Sequence, residues 1–120
     1  MKKLTTQELI DINIKYTIMA YEAMEDSDYK TNNRCVRKKN SLLEKHLNND
    51  IETALAVYGA LLKHEHDRVR SVAAVDALRM NILIDESVAV LEEVSKRKGL
   101  VGFGAGMALK VYRGESFDSS

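Results

Sequence analysis

Leu61-Leu62-Lys63-His64-Glu65-His66-Asp67-Arg68-Val69-Arg70, followed by Ala73-Ala74 and Ala77-Leu78, is the stretch that decides the fold. The paired leucines close one apolar helical row. Lys63, His64, Glu65, His66 and Asp67 then form a polar turn, with Asp67 placed to cap the next helix. From 68 to about 81, Val69, Val72, Ala73, Val75, Ala77 and Leu78 recur at helical spacing. Most of these side chains are small, which suits the near approach of a neighbouring helix. The stretch reads as helix, short turn, helix.

Toward the N-terminus, residues 51–63 form a short amphipathic segment with Ile51, Leu55, Tyr58, Leu61 and Leu62 apolar, preceded by the turn cluster Asn48-Asn49-Asp50. Residues 29–48 predict a further helix, capped from Asp26-Ser27-Asp28, with Val36, Leu43 and Leu47 inward. Thr5-Thr6-Gln7-Glu8 has the spacing of a capping box and opens the first helix. Behind it Leu9, Ile12, Tyr16, Met19 and Ala23 form one apolar row, and Ile10, Ile14, Ile18 and Tyr21 form a second beside it. A helix covering one flank of a core needs a single row. The second therefore predicts a second neighbour, either another helix of the chain or another subunit in a homodimer.

Toward the C-terminus, Asp85 is placed to cap a helix over 86–98 with Val88, Leu91 and Val94 inward. Gly99, after Lys96-Arg97-Lys98, is its natural C-cap. A last helix over 100–112 contains Gly102, Gly104 and Gly106, each costing on the order of 0.5–1 kcal/mol unless close backbone packing or a non-helical start compensates. Residues 1–113 are expected as a single domain and 114–120 as a frayed tail. No stretch of useful length alternates with period two, so the expected class is all-α.

The outline of the deciding stretch recurs some 31–35 residues on, with Val88-Ala89-Val90-Leu91 as a first helix and Ala105, Ala108 and Leu109 as a second, though without an arginine in the corresponding place. The Leu-Leu, Asp, Val-Arg and Ala-Ala order resembles a HEAT repeat. As a whole the chain is similar to a family of short bacterial HEAT/armadillo-like helical repeat proteins of uncharacterised function. The resemblance covers nearly all of the chain and rests on its long first helix, Asp28-Tyr29-Lys30 with Asn33-Arg34, the repeat itself and the Gly-rich end. It implies a right-handed α–α superhelix of about six helices. It also implies structural roles for Asp67, Val69, Arg70, Ala73 and Ala74, with Arg70 bonding into the turn, and singles out Asn33, whose amide is expected to tie neighbouring helices or a turn together. It brings no catalytic residues. Repeats of this kind bury their faces by stacking and leave a surface that binds another macromolecule.

Composition narrows the function. Of the 120 residues, 45% are apolar and 30% charged, with no proline, an ordinary balance for a helical globular chain. Eighteen basic residues balance eighteen acidic ones, so no overall field draws the chain to nucleic acid or an anionic membrane. One cysteine, Cys35, excludes an internal disulfide and a cysteine-based zinc cluster, and fits a cytoplasmic location. The first residues carry Glu8, Asp11 and Asn13 where a signal peptide needs a continuous apolar core. The longest uncharged runs, 53–62 and 100–109, are each ten residues, about half the length of a spanning helix.

Charge is unevenly placed along the chain. Residues 1–28 sum to −3, 29–49 to +5, 50–95 to −5 and 96–120 to +3. Lys30, Arg34, Arg37, Lys38 and Lys39 gather positive charge on one helix and are candidate contacts for an acidic partner. Glu86, Glu92 and Glu93 are candidate contacts for a basic one. The His64-Glu65-His66-Asp67 cluster has metal-ligand chemistry, but two histidines two residues apart do not share a helical face, so it reads as a solvated turn. Gly102-Phe103-Gly104-Ala105-Gly106 lacks the preceding strand and the following Gly-Lys-Ser/Thr of a phosphate loop. Cys35 lies among basic residues with no histidine or second cysteine near in sequence to make a nucleophile pair.

The expectation is therefore a chain with no enzyme activity, cofactor or metal: a non-catalytic helical-repeat module that binds another protein. The charge blocks suggest two alternatives. One is an immunity or antitoxin-like protein masking a basic toxin domain with residues 50–93. The other is a nucleic-acid-binding HEAT-like protein, which the absence of an aromatic side chain within the Lys30–Lys39 run disfavours.

Overall fold

Thr5 opens the first helix, α1 (Thr6–Glu25), through a complete capping box: its hydroxyl accepts from the Glu8 backbone N–H at 3.1 Å, and the Glu8 carboxylate accepts from the Thr5 N–H at 3.0 Å. Five more helices complete the computed structural model, which describes residues 4–114: α2 (Tyr29–Leu47), α3 (Ile51–Leu61), α4 (Asp67–Arg79), α5 (Ile84–Val94) and α6 (Leu100–Tyr112). Among the described residues there is no strand. The chain divides into two compact units, Met1–Leu61 with the first three helices and Leu62–Ser120 with the last three. Of the expected frayed tail, residues 115–120 lie outside the described residues.

In the first unit α1 packs on both α2 and α3, which accounts for its two apolar rows within the chain. The buried line shares only Leu9 and Ala23 with the first row. Otherwise it runs between the two rows, through Asn13, Thr17 and Ala20, while Ile12 and Tyr16 on one flank and Ile10, Ile14, Ile18 and Tyr21 on the other are half-buried. A helix wedged between two neighbours buries the bisector of its apolar face most deeply. Ser27 takes a left-handed conformation, φ 59°, and the Asp28 N–H returns to the Ala23 carbonyl at 2.7 Å, closing α1 in a Schellman turn. Asp28 then caps α2 by accepting from the Thr31 N–H at 3.1 Å. Hydrogen bonding with Thr31 is the largest reason its carboxyl is held below the ordinary value.

The second helix runs back along the first. Its Asn32 side chain donates to the Ala20 carbonyl at 2.8 Å, and six residues later Lys38 lies over the Tyr16 ring. The α2 core line is Cys35, Lys39, Leu43 and Leu47. Val36, expected inward, is exposed instead because it falls one residue off this line, and Ile51 and Leu55 are likewise exposed while Ala54, Val57, Tyr58 and Leu61 carry the α3 core.

Asn13 is wholly buried in this core. Its carbonyl oxygen accepts from the Thr17 hydroxyl at 3.2 Å, but its amide nitrogen has no partner among the described residues. A buried donor of this kind carries a desolvation penalty with no return bond. Leucine has the same number of side-chain heavy atoms, and the Thr17 hydroxyl can turn to a backbone carbonyl one turn back. Asn13→Leu is expected to raise stability by about 1 kcal/mol, read as an upward shift of the thermal midpoint; a fall would show that the amide has a partner worth keeping.

In the second unit the turn at residues 63–66 is built differently from the expectation. His66, not Asp67, is the N-cap of α4: its Nδ1 accepts from the Arg68 N–H at 3.1 Å, while the His66 N–H donates to Nδ1 of His64 at 3.0 Å. Asp67 is thereby freed for other partners. The α4 core face comprises Val69, Ser71, Ala73, Ala74 and Ala77, and Asn81 at φ 61° closes the helix in a second Schellman turn.

Two further caps depart from expectation. Asp85 lies inside the first turn of α5, where with Glu86 it complements the positive helix end, and the N-cap position falls to Leu83 at φ 49° with no side-chain bond. The α5 helix stops at Val94, so Gly99, at φ 90°, serves as the N-cap of α6 rather than as the C-cap of the preceding helix. Leu91 and Val94 are wholly buried, as is Ser87, and Val88 is half-buried. Close approach decides Gly102, where a Cβ would overlap the Arg97 carbonyl. Gly104 and Gly106 meet no such obstacle.

Candidate functional site

At helical spacing Lys30, Arg34, Arg37 and Lys38 fall within about 100° of arc on α2, and all four are exposed. Lys39 leaves the run. It lies opposite them and is 5% exposed, part of the buried line. The basic face is extended from α1 instead. Lys15 and Lys38 each place their ammonium over the Tyr16 ring, 5.5 and 5.6 Å from its centroid. The aromatic residue missing from the run in sequence is thus supplied by the neighbouring helix. Nothing local to α2 signals this, because the pairing depends on the register of the α1–α2 hairpin. Asn33 is exposed on α2, and its carbonyl accepts from Arg37 Nε at 3.4 Å; the tie between helices is made by the preceding residue, Asn32.

The acidic candidates behave otherwise. Glu93 accepts from Arg70 at 3.4 Å and from Arg97 at 3.3 Å, and Glu92 pairs with Arg113 at 3.4 Å, whereas Glu86 is exposed in the first turn of α5. The negative charge of residues 50–93 is partly neutralised from within the second unit.

Asp67, Arg70, Glu93 and Arg97 close a ring of alternating charge. Asp67 bonds Arg70 at 2.6 Å and Arg97 at 3.0 Å, and Glu93 bridges the same two arginines from the other side. The ring joins the start of α4 to the end of α5 and the segment after it. The Arg70 bond, aided by Arg97, holds the Asp67 carboxyl below its ordinary value of 3.8, and Asp67 in turn raises Arg70. Arg70 is 14% exposed, and its Nε is buried without a partner among the described residues. Arg70→Ala is expected to cost about 1–2 kcal/mol, several degrees of thermal midpoint. An unchanged midpoint would defeat the structural role of this arginine.

The depressed Asp67 carboxyl fixes the sign of the pH dependence. A carboxyl of this kind contributes stability above its unfolded value and loses it as pH falls through the folded one. Below about pH 4 the wild-type midpoint should fall more steeply than that of Asp67→Asn, a difference that thermal melts over roughly pH 2–5 can read. Parallel curves would remove Asp67 from the acid response.

Other candidates offer less chemistry. His64 and His66 accept backbone N–H groups, and among the described residues no three His, Cys, Asp or Glu side chains converge as a metal site would require. Cys35 is buried. A cleft of about 350 Å³ beside the start of α1 is lined by Leu4, Thr5, Thr6, Leu9, His46, Asp50 and Thr53. Thr5 belongs to the capping box there, and Asp50 is bonded to the Thr53 backbone and hydroxyl at 3.1 and 2.7 Å. No described helix is long and apolar enough to cross a membrane. No protein-family model, curated protein or solved structure matches the chain.

Proposed function

We propose that this chain is a non-catalytic helical-repeat module, built on HEAT-like helix pairs, that binds an acidic protein through the outer face of α2. The observation that carries this reading is the row Lys30, Arg34, Arg37 and Lys38, exposed together on one helix and continued by Lys15 across Tyr16. The first unit as a whole carries nine basic and nine acidic residues, so the row is a local concentration rather than an excess. Local concentration steers an acidic partner to one face and fixes its orientation. The test is affinity capture from lysate of the source cells at low salt, with wild-type bait beside a bait carrying Lys30→Glu, Arg34→Glu, Arg37→Glu and Lys38→Glu. A stoichiometric acidic protein held by the first and lost by the second is expected. A partner held equally by both would refute the assignment of the α2 face.

A nucleic acid is the second reading, favoured by the aromatic ring beneath two lysines, since single-strand sites combine aromatic rings with basic side chains. Gel shift at about 50 mM salt, where electrostatic affinity is high, separates the two. Binding of single-stranded DNA that Tyr16→Ala abolishes would favour nucleic acid; no shift with single strands or duplex would leave the protein partner.

A further inference from the structure

The last helix presents an apolar row to solvent. Leu100, Phe103 and Val111 are 67, 65 and 64% exposed, and Met107 between them is half-buried. Leu100, Phe103, Met107 and Lys110 have the 3-4-3 spacing of the inner positions of a coiled coil, with Val111 beside the last. They span some four-fifths of the helix, about 15 Å at 1.5 Å per residue. The opposite side of α6 packs on α4 and α5. An exposed apolar row of this length is the kind of surface that meets a partner, and its spacing matches that of a second helix.

Charge selects the occupant. The fourth inner position is Lys110, and Lys96 and Lys98, both exposed, precede the row. No acidic residue stands in the first turn of α6, and Gly99 gives it no side-chain cap. A second copy of the chain fits poorly. Parallel pairing puts Lys110 against its own counterpart, and antiparallel pairing brings it to the Leu100 end, beside Lys98, so neither supplies a carboxylate. A lysine at an inner position specifies register at a cost in stability, and an acid that the partner places against it offsets that cost and sets partner choice.

We infer that the exposed face of α6 docks an amphipathic helix of another protein whose apolar row carries a glutamate or aspartate opposite Lys110. The inference rests on the reading of the chain as an interaction module but uses residues of α6 and none of α2, so each can fail without the other.

The test uses the full chain and a fluorescein-labelled synthetic helix of about 21 residues, roughly 30 Å long, with leucine at its inner positions except for one glutamate. Its counterpart exchanges that glutamate with an outer-face lysine, leaving composition and net charge unchanged. Fluorescence anisotropy is expected to show at least about tenfold tighter binding of the glutamate peptide, the effect of one well-placed charge pair. Phe103→Asp should abolish binding, with helicity by circular dichroism showing that the variant folds. Lys110→Glu should reverse the preference in favour of the lysine peptide, and Arg34→Glu with Lys38→Glu should change nothing. Equal affinity for the two peptides, or none for either, overturns the inference. So does a wild-type dimer in sedimentation equilibrium that Phe103→Asp dissociates, or binding to phosphatidylserine vesicles with the same dependence on Phe103.

Discussion

Alanine at position 102 is expected to destabilise the Leu62–Ser120 unit by about 3 kcal/mol, lowering its thermal midpoint by more than about 10 °C, although alanine is the better helix former. The cause is a backbone contact. A Cβ there would overlap the Arg97 carbonyl oxygen and lie 2.7 Å from the carbonyl carbon. A flexible side chain could move aside; a peptide group can do so only by shifting the segment after α5, which also carries Arg97 into its bonds with Asp67 and Glu93. Gly59→Ala is the matched control. That glycine lies inside α3 with nothing within 4 Å of its missing Cβ, so alanine should stabilise by about 0.5–1 kcal/mol. Melting both variants beside wild type separates close packing from helix propensity. A gain in stability at both positions would overturn the account of α6.

Leu91→Ala should cost about 3 kcal/mol, whereas Leu100→Ala and Phe103→Ala should each stay within about 0.5 kcal/mol. All three are large apolar residues of the second unit, and hydropathy alone does not distinguish them. Leu91 is wholly buried, so truncation opens a cavity among side chains that are already close-packed. Leu100 and Phe103 are two-thirds exposed and surrender little contact. Chemical denaturation with a common slope reads the difference directly. A cost at Phe103 comparable with that at Leu91 would place this ring in the core and remove the free apolar face of α6. A negligible cost leaves the side chain available for binding without loss of folding stability.

Much of the helical framework is legible in the sequence because local signals agree with one another. The Thr5–Glu8 box, the Asp28 cap and the span of α6 all appear as read, since each depends on groups within a turn of one another. The misreadings share a different cause. Asp67 and Asp85 have the right chemistry for caps, yet His66 and Leu83 hold those positions: Asp67 is drawn away by Arg70 and Arg97, the second of them 30 residues distant. The apolar pattern of α1 is wide enough to conceal its centre, which consists partly of Asn13 and Thr17.

The candidate surfaces are legible to a similar depth. The row on α2 can be read from spacing, but its link to Lys15 and Tyr16 cannot, and Lys39 departs from the row because charge alone does not reveal which lysine lays its stem along the core. In α6 the glycine content masks Leu100, Phe103 and Met107, whose coiled-coil spacing is present in the sequence. Of the glycines themselves only Gly102 has a steric reason; nothing in the structure explains Gly104 or Gly106.

The central claim, that the outer face of α2 meets a protein partner, is tested most directly by photo-crosslinking in the source cells, with a photoreactive amino acid at position 34 and, as a control, at the exposed Glu52 of α3. The account predicts one discrete protein adduct from position 34, absent from position 52 and abolished when Lys30, Arg37 and Lys38 are changed to glutamate. An adduct removed by nuclease, or equal labelling from both positions, would contradict it.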